Sequence, residues 1–254
     1  TAILGFNSNK YSDAMLIENV VEDKNVFKGY SLIQKYNCQG CHIIDDFGGQ
    51  IANVIGSPEF SPPNLNTQGL KTQPDWLFNF FKHPTIIRPN LQVRMPSFSM
   101  LSDDDWNSII KAFQHMDDRN FAFESDIYID TKSSEFKAGA KLHEFGACNN
   151  CHFYGETKPI QTAATWAPNL AMTKDRLRHE WVIEWLRDPQ KIMPGTKMPA
   201  PYLPTVDLLE ADGAVDTWGK YLLELNGDTD SMLRGITDYV FNIKGKTDIS
   251  DIVQ

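Results

Sequence analysis

The sequence predicts an all-α fold built from two copies of one helical domain. Three observations lead there. A pentapeptide, Cys38-Gln39-Gly40-Cys41-His42, recurs as Cys148-Asn149-Asn150-Cys151-His152, and these two copies hold all four cysteines of the chain. Landmarks around it recur in the same order with drifting offsets. Gly29 and Gly139 precede the two pentapeptides at offset 110, the offset of Cys38 to Cys148. Pro63-Asn64-Leu65 returns as Pro168-Asn169-Leu170, Trp76 as Trp181 and Pro84 as Pro189, all at offset 105; Met95-Pro96 returns as Met198-Pro199 at 103, and Trp106 as Trp218 at 112. Finally, no segment sustains the period-two alternation of a half-buried strand.

The elements follow in order. Before each pentapeptide an amphipathic helix places Phe27, Leu32, Ile33 and Tyr36, or Phe136, Leu142 and Phe145, on one side. Asp75–Phe81 and Glu180–Leu186 form a second pair of helices, each stopped by the proline that follows. After each Met-Pro comes a last helix. In the first copy Ser102 is its N-cap, Asp103, Asp104 and Asp105 suit the positive end of its dipole, and Trp106, Ile109, Ile110 and Phe113 form its apolar stripe. The matching stripe in the second copy is Trp218, Tyr221, Leu222 and Leu225. The expected organisation is an N-terminal extension over 1–24 with a helix at Ser12–Val21, a first domain over 25–118, a linker over 119–133, a second domain over 134–226 and a C-terminal extension over 227–254. The linker carries Phe121, Phe123, Ile127, Tyr128 and Ile129, too apolar for a free tether. Met232, Ile236, Val240 and Ile243 in the tail lie at helical spacing and predict a packing face.

Two cysteines three positions apart with histidine immediately after is the spacing of c-type haem attachment. The thiols become thioethers on two neighbouring porphyrin vinyl groups, and the adjacent imidazole is held beneath the ring, where it can ligate iron. A redox Cys-x-x-Cys pair or half of a zinc site uses the same cysteine spacing. Two copies, both ending in histidine and in related surroundings, weigh against both alternatives.

The 254 residues include 24 basic and 33 acidic ones, a net charge of −9. Such an acid excess excludes ordinary nucleic-acid binding, since it adds to the repulsion of the phosphates, and it fits a protein partner with a basic docking face. No apolar run approaches the eighteen or so residues of a membrane helix.

Each copy resembles the class I c-type cytochromes. Trp185-Leu186-Arg187-Asp188-Pro189 followed by Met193-Pro194-Gly195-Thr196-Lys197-Met198-Pro199 is similar to that family's ligand loop, and Arg88-Pro89 with Val93-Arg94-Met95-Pro96 fills the same place in the first copy without the Gly-Thr pair. The resemblance implies two covalently bound haem c groups, with iron held by His42 and Met95 in one copy and by His152 and Met198 in the other. Met100 and Met193 are the nearest rivals, while Met15, Met116, Met172 and Met232 suit core filling. It further implies that the Pro63 and Pro168 carbonyls accept from the other ring nitrogen of each histidine, orienting it, although a Pro-Asn turn alone is the plainer role. Trp76 and Trp181 either reach a haem propionate or simply pack. Arg88, Arg94, Lys191 and Lys197 flank the ligand loops as propionate partners, docking rim or solvated charges. His83, His115, His143 and His179 lack any metal-like constellation and read as structural.

The function implied is one-electron transfer, by a carrier or by the cytochrome subunit of a respiratory or oxidoreductase complex, rather than catalysis; a dihaem peroxidase-like enzyme is the alternative. The location implied is the periplasm or the outer face of the cytoplasmic membrane, in a mature chain whose leader or anchor has been removed, with redox proteins as donor and acceptor.

Overall fold

A computed structural model describes residues 23–57, 60–89, 91, 93–118 and 127–245. The expected helix at Ser12–Val21 and most of the linker and the last residues of the tail lie outside them. The chain is helical, as the patterning predicts, with a two-residue hairpin (Ile43–Ile44 with Phe47–Gly48) beside the first pentapeptide. Its turn residues Asp45 and Asp46 both have positive φ, the geometry of a tight hairpin turn.

In the N-terminal half, α1 (Lys24–Lys35) starts at Asp23, whose carboxylate accepts from the amides of Asn25 and Val26. It ends at Tyr36, and Asn37 turns left-handed (φ 51°) to swing the chain into α2, Cys38–Cys41. Then come α3 (Ile51–Ile55), α4 (Gln68–Lys71) and α5 (Pro74–Lys82), the last with proline at its first position, where no amide donor is needed. The expected capping at Ser102 holds: α6 (Asp103–Met116) opens with a reciprocal box between Ser102 and Asp105. Lys28 Nζ reaches Asp105 at 2.6 Å and ties α1 to α6. Leu32, Ile33, Ile44, Leu77, Phe81, Trp106, Ile109 and Phe113 form the core, with Phe81 stacked on Trp106. Phe27, expected on the apolar side, is 39% exposed.

The C-terminal half repeats this plan to a point. α7 (Ser134–Phe145) is capped by Ser133, and Ala147 takes the left-handed turn (φ 47°) before the 3₁₀ turn at Cys148–Asn150. α8 (Thr173–Arg176), α9 (His179–Arg187) and α10 (Pro189–Ile192) follow. Beyond Met198 the structure departs from the expected register. Trp218 closes the short α12 (Ala214–Trp218), which comes after α11 (Val206–Leu209) and is broken from α13 (Lys220–Glu224) at Gly219, whose φ is +76°. The long helix that crosses α7 is instead α14, Thr229–Phe241.

The crossings decide which helices correspond. A Cβ on Gly29 would lie 2.0 Å from the Ser108 carbonyl oxygen of α6, and one on Gly139 would lie 2.0 Å from Gly235 of α14. Thus α14 occupies the place of α6, and the Trp106–Trp218 correspondence is corrected. The reason is packing: Met232, Leu233, Ile236, Val240 and Phe241 are buried in one core with Leu142, Trp181 and Leu186. This core runs past residue 226 to Phe241, and it also takes in Leu209, Ala214, Trp218 and Leu222 of the short helices ahead of α14. Phe145, expected inside, is 50% exposed and rests on Trp218. Of the linker, Ile129 packs on the C-terminal core whereas Tyr128 is 88% exposed.

The halves meet along a seam with internal two-fold character. The amide of Gln73 donates to the Arg176 carbonyl and that of Arg178 to the Lys71 carbonyl, both at 2.9 Å, around an antiparallel bridge between Thr72 and Leu177. Adding 105 to 71 and 73 gives 176 and 178, so each bond is the other's image under the repeat.

Candidate functional site

The pentapeptides sit where each first helix ends. The left-handed residue before each first cysteine tightens the chain into a single turn, and the backbone of each histidine donates to the carbonyl of that cysteine at 2.9 Å. This loop closes Cys-x-x-Cys-His into a rigid unit with both sulfurs on one stretch of backbone. None of the four cysteines is in a disulfide. Burial pushes Cys38 and Cys148 up to about 11. A reactive redox cysteine is favoured by a stabilised thiolate, whereas a thioether carries no charge and suits a buried position. Among the described residues, no three His, Cys, Asp or Glu side chains converge as a metal site. The Cys-x-x-Cys-His turns fit covalent porphyrin attachment.

Both pentapeptide histidines are held by a proline carbonyl. His42 Nδ1 lies 2.7 Å from the Pro63 carbonyl oxygen, and His152 Nδ1 lies 2.8 Å from that of Pro168. A carbonyl only accepts, so Nδ1 carries the proton and Nε2 presents a lone pair, the form iron requires. Burial holds both rings below the usual histidine range; the proline carbonyls act against this, and Arg88 adds to it at His42.

The Pro-Asn turns serve as acceptor platforms too. Leu65 donates to Ile43 O, and Leu170 to Phe153 O, each at 2.8 Å, so each Pro-Asn-Leu is laced to the residue after its histidine. Asn169, 1% exposed, is fixed on both sides by Gly155, accepting from its amide and donating to its carbonyl at 2.9 Å. Asn64 accepts from the Asn66 amide at 2.8 Å.

Met95 and Met198 are half-buried against the N-terminal and C-terminal cores respectively. Met198 Sδ accepts from the Trp185 indole at 2.9 Å, and Trp185 stacks on Trp181. Of the rivals, Met100 is 67% exposed and Met193 half-buried. Met172 and Met232 are buried core residues, as expected. The Trp181 indole N–H donates to Thr67 Oγ1 at 3.2 Å, across the seam, while Trp76 stacks on Phe80. Arg88 donates to the Ser61 carbonyl at 2.9 Å and Arg94 to the Pro89 carbonyl at 3.3 Å. Lys191 and Lys197 are exposed.

Three of the four remaining histidines make structural contacts. His179 Nε2 meets Asp238 at 2.6 Å and joins α9 to α14. His143 pairs with the Tyr154 hydroxyl at 2.6 Å, and His115 with that of Tyr30 at 3.2 Å.

Sequence reasoning passed over Lys71 and Arg176, and it placed Trp185 in the loop before Met198 without a role of its own. The first two carried a usable signal: they stand five residues before Trp76 and Trp181, at the same offset of 105 as the tryptophans.

Residues 24–111 match the family model described as cytochrome C oxidase, cbb3-type, subunit III. The match covers 88 of the 254 residues (111 − 24 + 1) and supports a c-type cytochrome, hence covalent haem and electron transfer, in the N-terminal half. No curated protein and no solved structure matched the chain.

Proposed function

We propose that the chain is a dihaem c-type cytochrome that transfers single electrons. One haem is bound through Cys38 and Cys41 with His42 and Met95 as iron ligands, and the other through Cys148 and Cys151 with His152 and Met198. The observation that carries this reading is the duplicated histidine–carbonyl pair, His42 with Pro63 and His152 with Pro168. A histidine held at Nδ1 and standing directly after a Cys-x-x-Cys keeps Nε2 as the ligating nitrogen, and the chain builds the arrangement twice from distant segments.

Haem supplies the one-electron couple when bound. The protein's residues do the rest. The proline carbonyls fix the ring planes and raise the basicity of the ligating nitrogens. The methionine sulfurs of Met95 and Met198 would favour ferrous iron and leave no ligand place for substrate, which separates this reading from the peroxidase-like one. The buried cores pack against Met95 and Met198.

Two domains, 25–118 and 134 to about 241, fit the packing of the helix crossings. The likeness of residues 24–111 to a terminal-oxidase subunit favours a role inside a respiratory complex over that of a free carrier, with the domains on the outer face of the cytoplasmic membrane. Among the described residues no helix is long and apolar enough to cross a membrane. A basic partner suits the net charge of −9, and the stretch over 206–224 adds Asp207, Glu210, Asp212 and Asp216, all exposed.

Acid–acetone extraction followed by a haem count tests the reading. Two haems should stay on each polypeptide, and one haem, or haem released into the acetone, would end it. Rapid carbon monoxide binding to one reduced haem, with peroxide-dependent oxidation of a donor, would transfer the case to the enzyme.

A further inference from the structure

The seam concentrates positive charge. Lys71 Nζ lies 5.0 Å from the Trp181 ring centroid, and the Arg176 guanidinium lies 5.4 Å from that of Trp76. Each half thus lends one cation to the other's tryptophan, an exchange that follows the repeat. Arg88 joins them: its charge acts on Lys71, on Arg176 and on His42. Among the described residues no carboxylate pairs with any of the three, and the ion pairs found lie elsewhere. Arg176 Nε is buried with no hydrogen-bond partner. The nearby Asp117 carboxylate is committed to the amides of Gly69 and Leu70 at 2.7 and 3.2 Å.

Like charges brought together out of water repel strongly unless something answers them. Lys71 shows the stress: burial, then Arg176 and Arg88, push it down to about 7. Yet the backbone here is ordered into the paired bonds of Gln73 and Arg178. The cluster also spans both sites. Arg88 donates to the Ser61 carbonyl, two residues before the Pro63 that holds His42, on one side, while Lys71 sits over Trp181, which stacks on Trp185, the donor to Met198, on the other.

We propose that Lys71, Arg88 and Arg176 form a carboxylate clamp at the seam, which takes porphyrin propionates from both sides and so locks the two halves together only when both haems are attached. The clamp rests on the two-haem reading above. It makes docking of the halves a consequence of haem attachment: without the carboxylates the seam carries uncompensated repulsion, and with them it gains charge-assisted hydrogen bonds.

Hydrogen exchange at the Gln73 and Arg178 amides of the fully loaded, reduced protein reads the seam directly. Lys71→Gln and Arg176→Gln should each lower protection there by about tenfold or more, the scale of a lost charge-assisted bond, and Lys71→Arg should restore it. If the cations merely repel one another, the same substitutions raise protection; that result, or no change, overturns the clamp. Added inorganic phosphate should leave the loaded wild type unaltered. Protection that climbs with phosphate would assign the cluster to a free anion and also overturn it. The haem count is read separately on each sample, so a count of one defeats the two-haem reading whatever the exchange shows, and a count of two leaves the sign of the exchange change to judge the clamp.

Discussion

Gly139 of α7 and Gly235 of α14 touch backbone to backbone: a Cβ on Gly139 would lie 2.0 Å from the Gly235 carbonyl, and one on Gly235 would lie 2.2 Å from the Glu135 carbonyl. Neither obstacle is a flexible side chain, so the helices would have to part. Gly139→Ala and Gly29→Ala should each destabilise their half by at least about 2 kcal/mol, the upper part of the range for overpacking. Gly146→Ala, with an ordinary φ of −69° and its nearest neighbour at 3.2 Å, should cost far less. Thermal melts of the three variants check the ranking.

The iron–sulfur assignments predict a paired spectroscopic result. The weak sulfur-to-iron absorption of the oxidised protein should fall by half in Met198→Ala and vanish in the double variant with Met95→Ala. Met100→Ala and Met193→Ala should leave it intact. Loss of the band in either of the last two would reassign the ligand.

Two sites in one docked chain predict an internal relay. The effective concentration of one site near the other is high and does not depend on dilution. After rapid half-reduction, electrons should redistribute between haems at a rate independent of protein concentration. Stopped-flow traces whose rate scales with concentration would rule the relay out. The ligand loops differ, Gly195-Thr196-Lys197 against Gln92-Val93-Arg94, and the two potentials should separate in a redox titration.

His143 makes the C-terminal half acid-sensitive. It is 6% exposed, and burial, with the charge of His152 second, holds it down to about 4. Its folded pKa lies below its unfolded value, so the unfolded chain binds more protons between the two. The stability is complete above pH 6.5 and declines as pH falls toward 4, by at most roughly 3 kcal/mol. His143→Gln should flatten that part of the pH–stability curve relative to wild type, as followed by denaturant midpoints from pH 7 to 4. An unchanged slope would show that His143 does not titrate in this window.

The two pentapeptides and their turns were legible in the sequence because they are local. Cys38-Gln39-Gly40-Cys41-His42 fixes covalent spacing within one turn, and neither fold nor partner alters which sulfurs and which imidazole stand together. The Ser102 cap and the prolines that limit α5 and α9 are local for the same reason. Correspondence beyond Met198 was not legible. Trp218 is large and apolar and repeats at a plausible offset, while Gly235, the residue that fits against α7, has no side chain and leaves no hydrophobic signal. Only the close approach of two backbones decided that α14 completes the core. The seam was decided the same way. Lys71 and Arg176 look like ordinary surface cations in the sequence, and they become a cluster only because pairing of Thr72 with Leu177 brings the two halves face to face and removes the water that would have screened them.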